Sequence, residues 1–479
     1  LPNITELPST NKIIMKKLLL SLTCLLTSVF VYSQITFQRH YGGPSYDGGI
    51  SVLQTNDGGY IIAGQTTNSA GSAYIIRTNG IGDTLWTKVY GGNLSQVFYK
   101  IKNTNDGGYI LCGVTHGLGF YGYNYLLLKI NSLGDTIWQK AYGGYGDEDA
   151  YDVVQTSDGG FALVGASTSF VGAIYFVKTD NQGDTLWTKL YSKSYTSFAN
   201  SLIQLADNGY IIVGETGIGS VNRNLLVIRT NLNGDTIWMK TFGGNNNEVG
   251  YSVKETDDGG FIISGATKSF GAGGYDVYLI KIHSNGLIQW TKTIGGINDD
   301  SGGECILTSD GGYAVAGTTN SFGSGNYDVY LLKFNSFGDT LWSKTFGGAG
   351  IDAAGSIKET TDGGFIIAGR TESYGGNSDV YLIKTDANGH VAGIDDYSRS
   401  VNHRISAYPN PTSGKINIQI SKQFGRTKSL EVFDCIGQLK YSKTDNLSDI
   451  DISSLTSGLY FIVLRNLDNE RQIMKIIKE

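Results

Sequence analysis

From residue 35 to about residue 390, apolar and polar positions form short runs of strand length separated by glycine-rich turns. One stretch shows the pattern. Tyr251 to Thr256 reads as a strand, and Asp258-Gly259-Gly260 as a tight hairpin, because Asp-Gly suits positive φ and a second glycine suits a bulge. Phe261 to Thr267 is a second strand. After a loop over Lys268 to Gly274, Asp276 to Ile282 is a third. Asn285-Gly286 turns into a fourth, Ile288 to Ile294, and Gly295-Gly296 leads onward. No segment sustains the 3.6-residue period of an amphipathic helix.

This unit recurs. Asp-Gly-Gly begins at Asp57, Asp106, Asp158, Asp258, Asp310 and Asp362, and Asp207-Asn208-Gly209 fills the gap, giving seven copies spaced 49 to 52 residues apart. Four strands in about 50 residues, repeated, predict the blades of a β-propeller. All six tryptophans (Trp86, Trp138, Trp187, Trp238, Trp290 and Trp342) stand four residues after a turn glycine, where an indole can pack between neighbouring blades. The seventh copy stops at Asn388-Gly389-His390, before its fourth strand. Ile35 to Gly43 (I-T-F-Q-R-H-Y-G-G) matches Thr84 to Gly92 (T-L-W-T-K-V-Y-G-G), with Phe37 at the tryptophan position. The first strand is therefore expected to complete the last blade and remove an open sheet edge.

Beyond Val391 the pattern changes. Residues 392–404 are polar and read as a linker. Residues 405–479 return to alternating strands, which suggests a small Ig-like β-sandwich. The predicted fold class is thus all-β: a seven-bladed propeller over 34–391 followed by a sandwich. At the other end, Met15-Lys16-Lys17 and the 15-residue apolar run Leu18 to Tyr32 read as a signal peptide. The run is short of the roughly 20 residues that span a bilayer. Residues 1–33 would be removed after Ser33, leaving Gln34 first, with Met15 as the expected start.

Composition sharpens this picture. The chain has 67 Gly but only 5 Pro, and 30 Tyr with 19 Phe, so aromatic strands alternate with glycine turns, and neither collagen nor a disordered tract fits. Net charge is −6 with no basic block, which argues against nucleic acid. Four scattered cysteines offer neither a disulfide framework nor metal-site spacing. The chain has no Gly-x-Ser-x-Gly, no His-Glu-x-x-His and no phosphate-cradling loop.

Two resemblances add to this. The Gly-x-x-x-Trp spacing resembles the quinoprotein propeller repeat, although Asp180 stands three residues before Gly183 where that repeat has four. Residues 35–390 more closely resemble the glycine-rich propeller repeats of bacterial surface proteins, which imply the fold and little about activity. The tail carries Tyr408-Pro409-Asn410-Pro411, then Ser453-x-Leu455-x-x-Gly458-x-Tyr460, then a basic end containing Lys475. It is similar to the type A sorting domain of the type IX secretion system of Bacteroidetes. That similarity implies export to the cell surface or beyond, with the secretion machinery as a partner.

Candidate chemistry lies in charges that keep phase with the repeat. Each third strand ends in a cation: Arg77, Lys129, Lys178, Arg229, Lys281, Lys333 and Lys384. An aspartate follows the turn glycine in five copies: Asp83, Asp135, Asp184, Asp235 and Asp339. Ion pairs between these two sets are expected. An acid enters the first strand in five copies (Asp47, Glu148, Glu248, Asp300 and Asp352), and Asp276, Asp328 and Asp379 begin third strands at the same end. Beside Ser269-Phe270-Gly271, Ser321-Phe322-Gly323 and Ser373-Tyr374-Gly375, these carboxylates predict an acid-rimmed channel mouth suited to a glycan or to Ca²⁺. The expected function is a non-catalytic binding or adhesion module for a glycan or protein. The alternative is an enzyme at the same mouth, a glycan hydrolase or a quinoprotein-like oxidoreductase.

Overall fold

Each Asp-Gly-Gly motif ties its hairpin with the aspartate side chain. Asp57 Oδ1 accepts from the Thr55 hydroxyl at 2.6 Å and the Gly59 amide at 3.2 Å, while Gly58 takes φ +80°, a conformation costly for any residue with a Cβ. The third-strand cation then reaches this aspartate. Arg77 forks onto Asp57 at 2.5 and 2.6 Å, and Lys129–Asp106, Lys178–Asp158, Arg229–Asp207, Lys281–Asp258, Lys333–Asp310 and Lys384–Asp362 repeat the pair. This corrects the expected partners. The aspartates after the turn glycine bond to lysines of the preceding blade instead: Lys88–Asp135, Lys140–Asp184, Lys189–Asp235 and Lys292–Asp339. The hydroxyl of Thr55, with the Gly59 amide and Arg77, holds the Asp57 carboxyl down at about 2.

The computed structural model describes residues 34–391 and 405–478, apart from 68–71, 93, 120, 171, 193–195, 219–220, 375–376, 409–411, 421–425, 435–437, 446 and 468–470. The expected signal peptide, the expected linker and Pro409-Asn410-Pro411 lie outside these residues. The chain divides into two compact units, Leu1–Ala392 and Gly393–Glu479.

In the first unit, seven four-stranded antiparallel sheets follow one another as blades. Blade 1 is Asp47–Gln54, Tyr60–Thr66, Ser72–Thr78 and Thr84–Tyr90, and blades 2 to 6 repeat that order. Blade 7 has the strands Asp352–Glu359, Phe365–Thr371 and Asp379–Thr385, and its fourth is Phe37–Tyr41 from the start of the chain. Phe37 pairs with Lys384 as Trp86 pairs with Arg77, so the closing strand lies in the register of the other six. The hydrophobic core is shared between neighbours. Leu53, Ile61 and Ile75 of blade 1 pack with Phe98, Leu111 and Leu126 of blade 2, for example.

The tryptophans lock this contact from outside. A Cβ on Gly183, which takes φ +79°, would come within 2.9 Å of the Trp138 ring of the blade before. Trp86 covers Gly134 in the same way, and so on round to Trp342 over Gly389 and Phe37 over Gly82. The tyrosine four residues after four of these rings donates a second link across the boundary: Tyr41, Tyr90, Tyr142 and Tyr191 bond the carbonyls of Gly82, Gly134, Gly183 and Gly234 at 2.5–2.6 Å.

In the second unit, a three-stranded sheet and a four-stranded sheet enclose Ile416, Ile418, Leu430, Val432, Ile450, Ile462 and Ile476. Tyr408 ends the strand Ile405–Tyr408. Gly458 begins the long strand Gly458–Asn466. Tyr460 is buried on it, with its hydroxyl donating to the Thr456 carbonyl at 2.8 Å, and Lys475 pairs with Phe461.

Candidate functional site

The innermost strand of every blade carries a bulge at one phase. The residues left over are Ile50, Tyr99, Tyr151, Asn200, Tyr251, Gly303 and Gly355. A bulge re-aims its side chain out of the pleat, and all seven line one central cavity of about 300 Å³. The ring is uneven. Tyrosines fill blades 2, 3 and 5, and glycines leave space at blades 6 and 7. Lys100 and Glu304 also line this cavity.

A second cavity of about 550 Å³ joins the first through Asn200, Tyr251, Ser301 and Thr318. It opens over blades 4 to 6 and is edged by Tyr251, Tyr275 and Tyr327. Its charged wall is Glu215 with Arg223, Nη1 to Oε1 at 2.8 Å. Glu215 is 7 % exposed, and its Oε2 is buried without a hydrogen-bond partner. Burial raises the Glu215 carboxyl above its ordinary range, and Arg223 offsets part of that. Loop polar groups fix the surround. Asn247 Oδ1 accepts the Arg223 amide at 3.0 Å, Asn247 Nδ2 donates to the Tyr275 hydroxyl at 3.2 Å, and Asp299 Oδ1 accepts the Tyr275 amide at 2.8 Å.

The carboxylates singled out by repeat phase lie elsewhere. Asp47, Glu148, Glu248, Asp300 and Asp352 are at most 2 % exposed, so the expectation of an exposed acidic rim is corrected. Each caps the glycine loop that enters its blade: Glu148 takes the Gly144 amide at 2.8 Å, Glu248 that of Gly244 at 2.9 Å, Asp300 that of Gly296 at 2.7 Å, Asp352 that of Gly348 at 2.9 Å and Asp47 that of Gly43 at 3.2 Å. Asp276 and Asp328 cap their own loops through the Ala272 and Ser324 amides, and Asp379 lies 3.5 Å from His40 Nδ1. Phe270, Phe322 and Tyr374 lean on Tyr278, Tyr330 and Tyr381 of their own blades.

At three blade junctions these acids meet in pairs. Asp276 and Asp300 both occupy the space a Cβ on Gly295 would need. Asp328 and Asp352 do so at Gly347, and Asp379 and Asp47 at Gly42. At two other junctions the pair is Asn124 with Glu148 and Asn224 with Glu248. Burial first, then Asp352, pushes the Asp328 carboxyl up to about 6, and burial also raises Asp276 and Asp379. Among the described residues, no group of three or more His, Cys, Asp or Glu side chains is placed to hold a metal ion.

Glu215 escapes a reading that looks for what recurs. Its phase on the second strand holds Gln65, Val114, Ala166, Ala266, Thr318 and Arg370 in the other blades. The one acid in a series otherwise apolar or neutral, save for Arg370, is the signal that could have marked it.

Residues 406–479 match the family described as the Secretion system C-terminal sorting domain. The C-terminal unit carries the sorting signal of the type IX secretion system. The chain is accordingly exported to the cell surface or beyond. Regulatory protein FlaEY of Caulobacter vibrioides is 25 % identical over 226 residues, 42 % of this chain; this chain spans 22 % of that protein's length. Two solved structures are also similar. PorZ, a surface component of the type IX secretion system of Porphyromonas gingivalis, is 12 % identical with a TM-score of 0.41, over 90 % of this chain and 59 % of PorZ. YCF48 from Cyanidioschyzon merolae is 10 % identical with a TM-score of 0.43, over 72 % of this chain and 98 % of YCF48. Among the described residues, no helix is long and apolar enough to cross a membrane.

Proposed function

We propose that this exported propeller is a binding module for a glycan, received at the cavity over blades 4 to 6. The observation that carries the reading is the unpartnered, buried Oε2 of Glu215 on a cavity edged by three tyrosines. Leaving a buried acceptor unmade costs about 1–3 kcal/mol, so a hydroxyl donor arriving there gains more than it would at the surface. Tyrosine rings give flat apolar area with a polar tip, which suits the alternating CH and OH faces of a sugar. Binding without catalysis fits the two acids on this cavity. Glu215 is held by Arg223, and Asp299 has one oxygen on a backbone amide.

The test is a glycan array on the mature chain, followed by titration calorimetry on the best ligand. Glu215→Gln and Tyr251→Ala are each expected to weaken binding about tenfold or more. Asp83→Asn, at a turn outside the cavity, is expected to leave it unchanged. Failure to retain any glycan, or equal affinity in all three variants, overturns the reading.

A further inference from the structure

Directly after the bulge, four of the innermost strands place a side chain that accepts a backbone amide of the next blade. Ser51 Oγ accepts the Ile101 amide at 3.3 Å, Asp152 Oδ2 that of Leu202 at 3.0 Å, Ser201 Oγ that of Val253 at 3.3 Å and Glu304 Oε2 that of Ile357 at 3.2 Å. Lys100 holds this phase in blade 2 and has no acceptor to offer. It reaches instead to Glu304 of blade 6, Nζ to Oε1 at 2.9 Å, where Lys358 of blade 7 also arrives at 2.8 Å.

Two residues further along, the phase is Leu53, Val154, Ile203 and Ile306 in four blades but Lys102, Lys254 and Lys358 in the other three. Lys102 lies 3.7 Å from Asp152. Among the described residues, no carboxylate stands within the 4 Å of an ion pair with Lys254, whose charge nonetheless acts on Lys102, Glu304 and Lys358. Four ammonium groups thus share two carboxylates inside a protein whose net charge is −6. The side chains of Lys100, Lys102 and Lys358 are 15 %, 25 % and 23 % exposed, so water screens them poorly. Burial, with the neighbouring lysines, brings Lys358 down to about 7, against the pull of Glu304. A buried surplus of positive charge is costly until an anion neutralises it or a proton leaves.

We propose that the channel interior is an oxyanion site, in which Lys102, Lys254 and Lys358 hold a sulfate, phosphate or carboxylate group. The phase needs nothing charged to build a blade, since four blades fill it with aliphatic side chains. The three lysines stand at one phase of the innermost strands of blades 2, 5 and 7 and lie close enough for their charges to act on one another, and a tetrahedral or planar oxyanion among them offers each an acceptor. The same chemistry can arrive as a free inorganic ion or as the acid group of a sulfated or uronic glycan entering from the mouth.

The experiment uses the mature chain with sodium sulfate at low millimolar concentration, against sodium chloride at equal ionic strength. Sulfate at ten times its dissociation constant is expected to raise the melting temperature by about 2 °C, with chloride giving no rise. Lys254→Met is expected to lose sulfate affinity at least tenfold, and Asp83→Asn, at a turn outside the cavity, to keep it. On the unaltered protein, sulfate is expected to slow reductive methylation of Lys254 and Lys358 at least threefold, which holds even if the variant does not fold. Sulfated or uronic oligosaccharides displaced by sulfate, where neutral counterparts are not, identify the glycan as the source. Sulfate binding without such competition identifies the free ion. Equal responses to sulfate and chloride in both melting and labelling overturn the proposal, whatever the glycan array shows.

Discussion

Asp328 sits where the fold favours its proton. Its carboxyl is buried, faces Asp352, and is pushed up to about 6. The folded state therefore holds the proton more tightly than the unfolded chain does. The stability this confers is full below the ordinary carboxylate range and is lost as pH rises through 6. Blades 2 and 4 carry Asn124 and Asn224 at the same phase. Asp328→Asn is accordingly expected to stabilise the propeller by about 1–2 kcal/mol at pH 8 and to leave it unchanged at pH 4, as read by thermal melts at both values. A gain of equal size at both would show that the charge is not the cause. Asp57 and its counterparts have the opposite sign: their depressed carboxyls support the fold above the ordinary carboxylate range and cease to as pH falls toward 2. The aspartates of the turns were visible in the sequence, but their partners were not. Within one repeat, Arg77 and Asp83 stand six apart and look like a pair, while Asp83's counterparts are claimed by lysines from the blade before, a contact that no single repeat contains.

At the scale of the element, the strand Phe37–Tyr41 was legible because it repeats a motif that the seventh copy lacks. Its aromatic is 6 % exposed and seats over Gly82, as each tryptophan seats over its own glycine. Phe37→Ala is expected to cost about 3–4 kcal/mol in denaturant unfolding. Deleting residues 35–43 is expected to cost more, because blade 7 then also loses a row of backbone hydrogen bonds and gains an open edge. A deletion that melts within a degree or two of the intact domain would mean that the ring does not depend on closure. The bulges and the channel ring were not legible. Alternation predicts which residues face a core, and a bulge is a break in alternation, so Tyr99, Tyr151 and Tyr251 read as ordinary strand positions.

For the whole molecule, the two units do separate jobs. Removing residues 405–479 is expected to leave the propeller's melting temperature unchanged, since each unit has its own core. It is also expected to abolish appearance outside the cell, as followed by fractionation of the native host. A shortened chain that still reaches the surface would break the link between sorting domain and export. The architecture was readable because seven copies average away local noise. The mouth was not, because Glu215 and Arg223 are departures from the average. A ring of identical blades has no place for a ligand to prefer one side. What makes a site on it is asymmetry, and asymmetry is what a search for repeats discards.

The closing strand also sets an order of events. For a chain synthesised and exported in order, residues 37–41 emerge ahead of every other strand of the propeller, while their partners at 379–385 are its last. Six blades can form while the earliest strand still waits. Until the last blade arrives, the strand of Phe37 has no sheet to join and the ring stays a C-shaped arc with two raw edges. The latch is thus a checkpoint on completeness: a chain cut short anywhere before Thr385 cannot shut, however well its finished blades have folded.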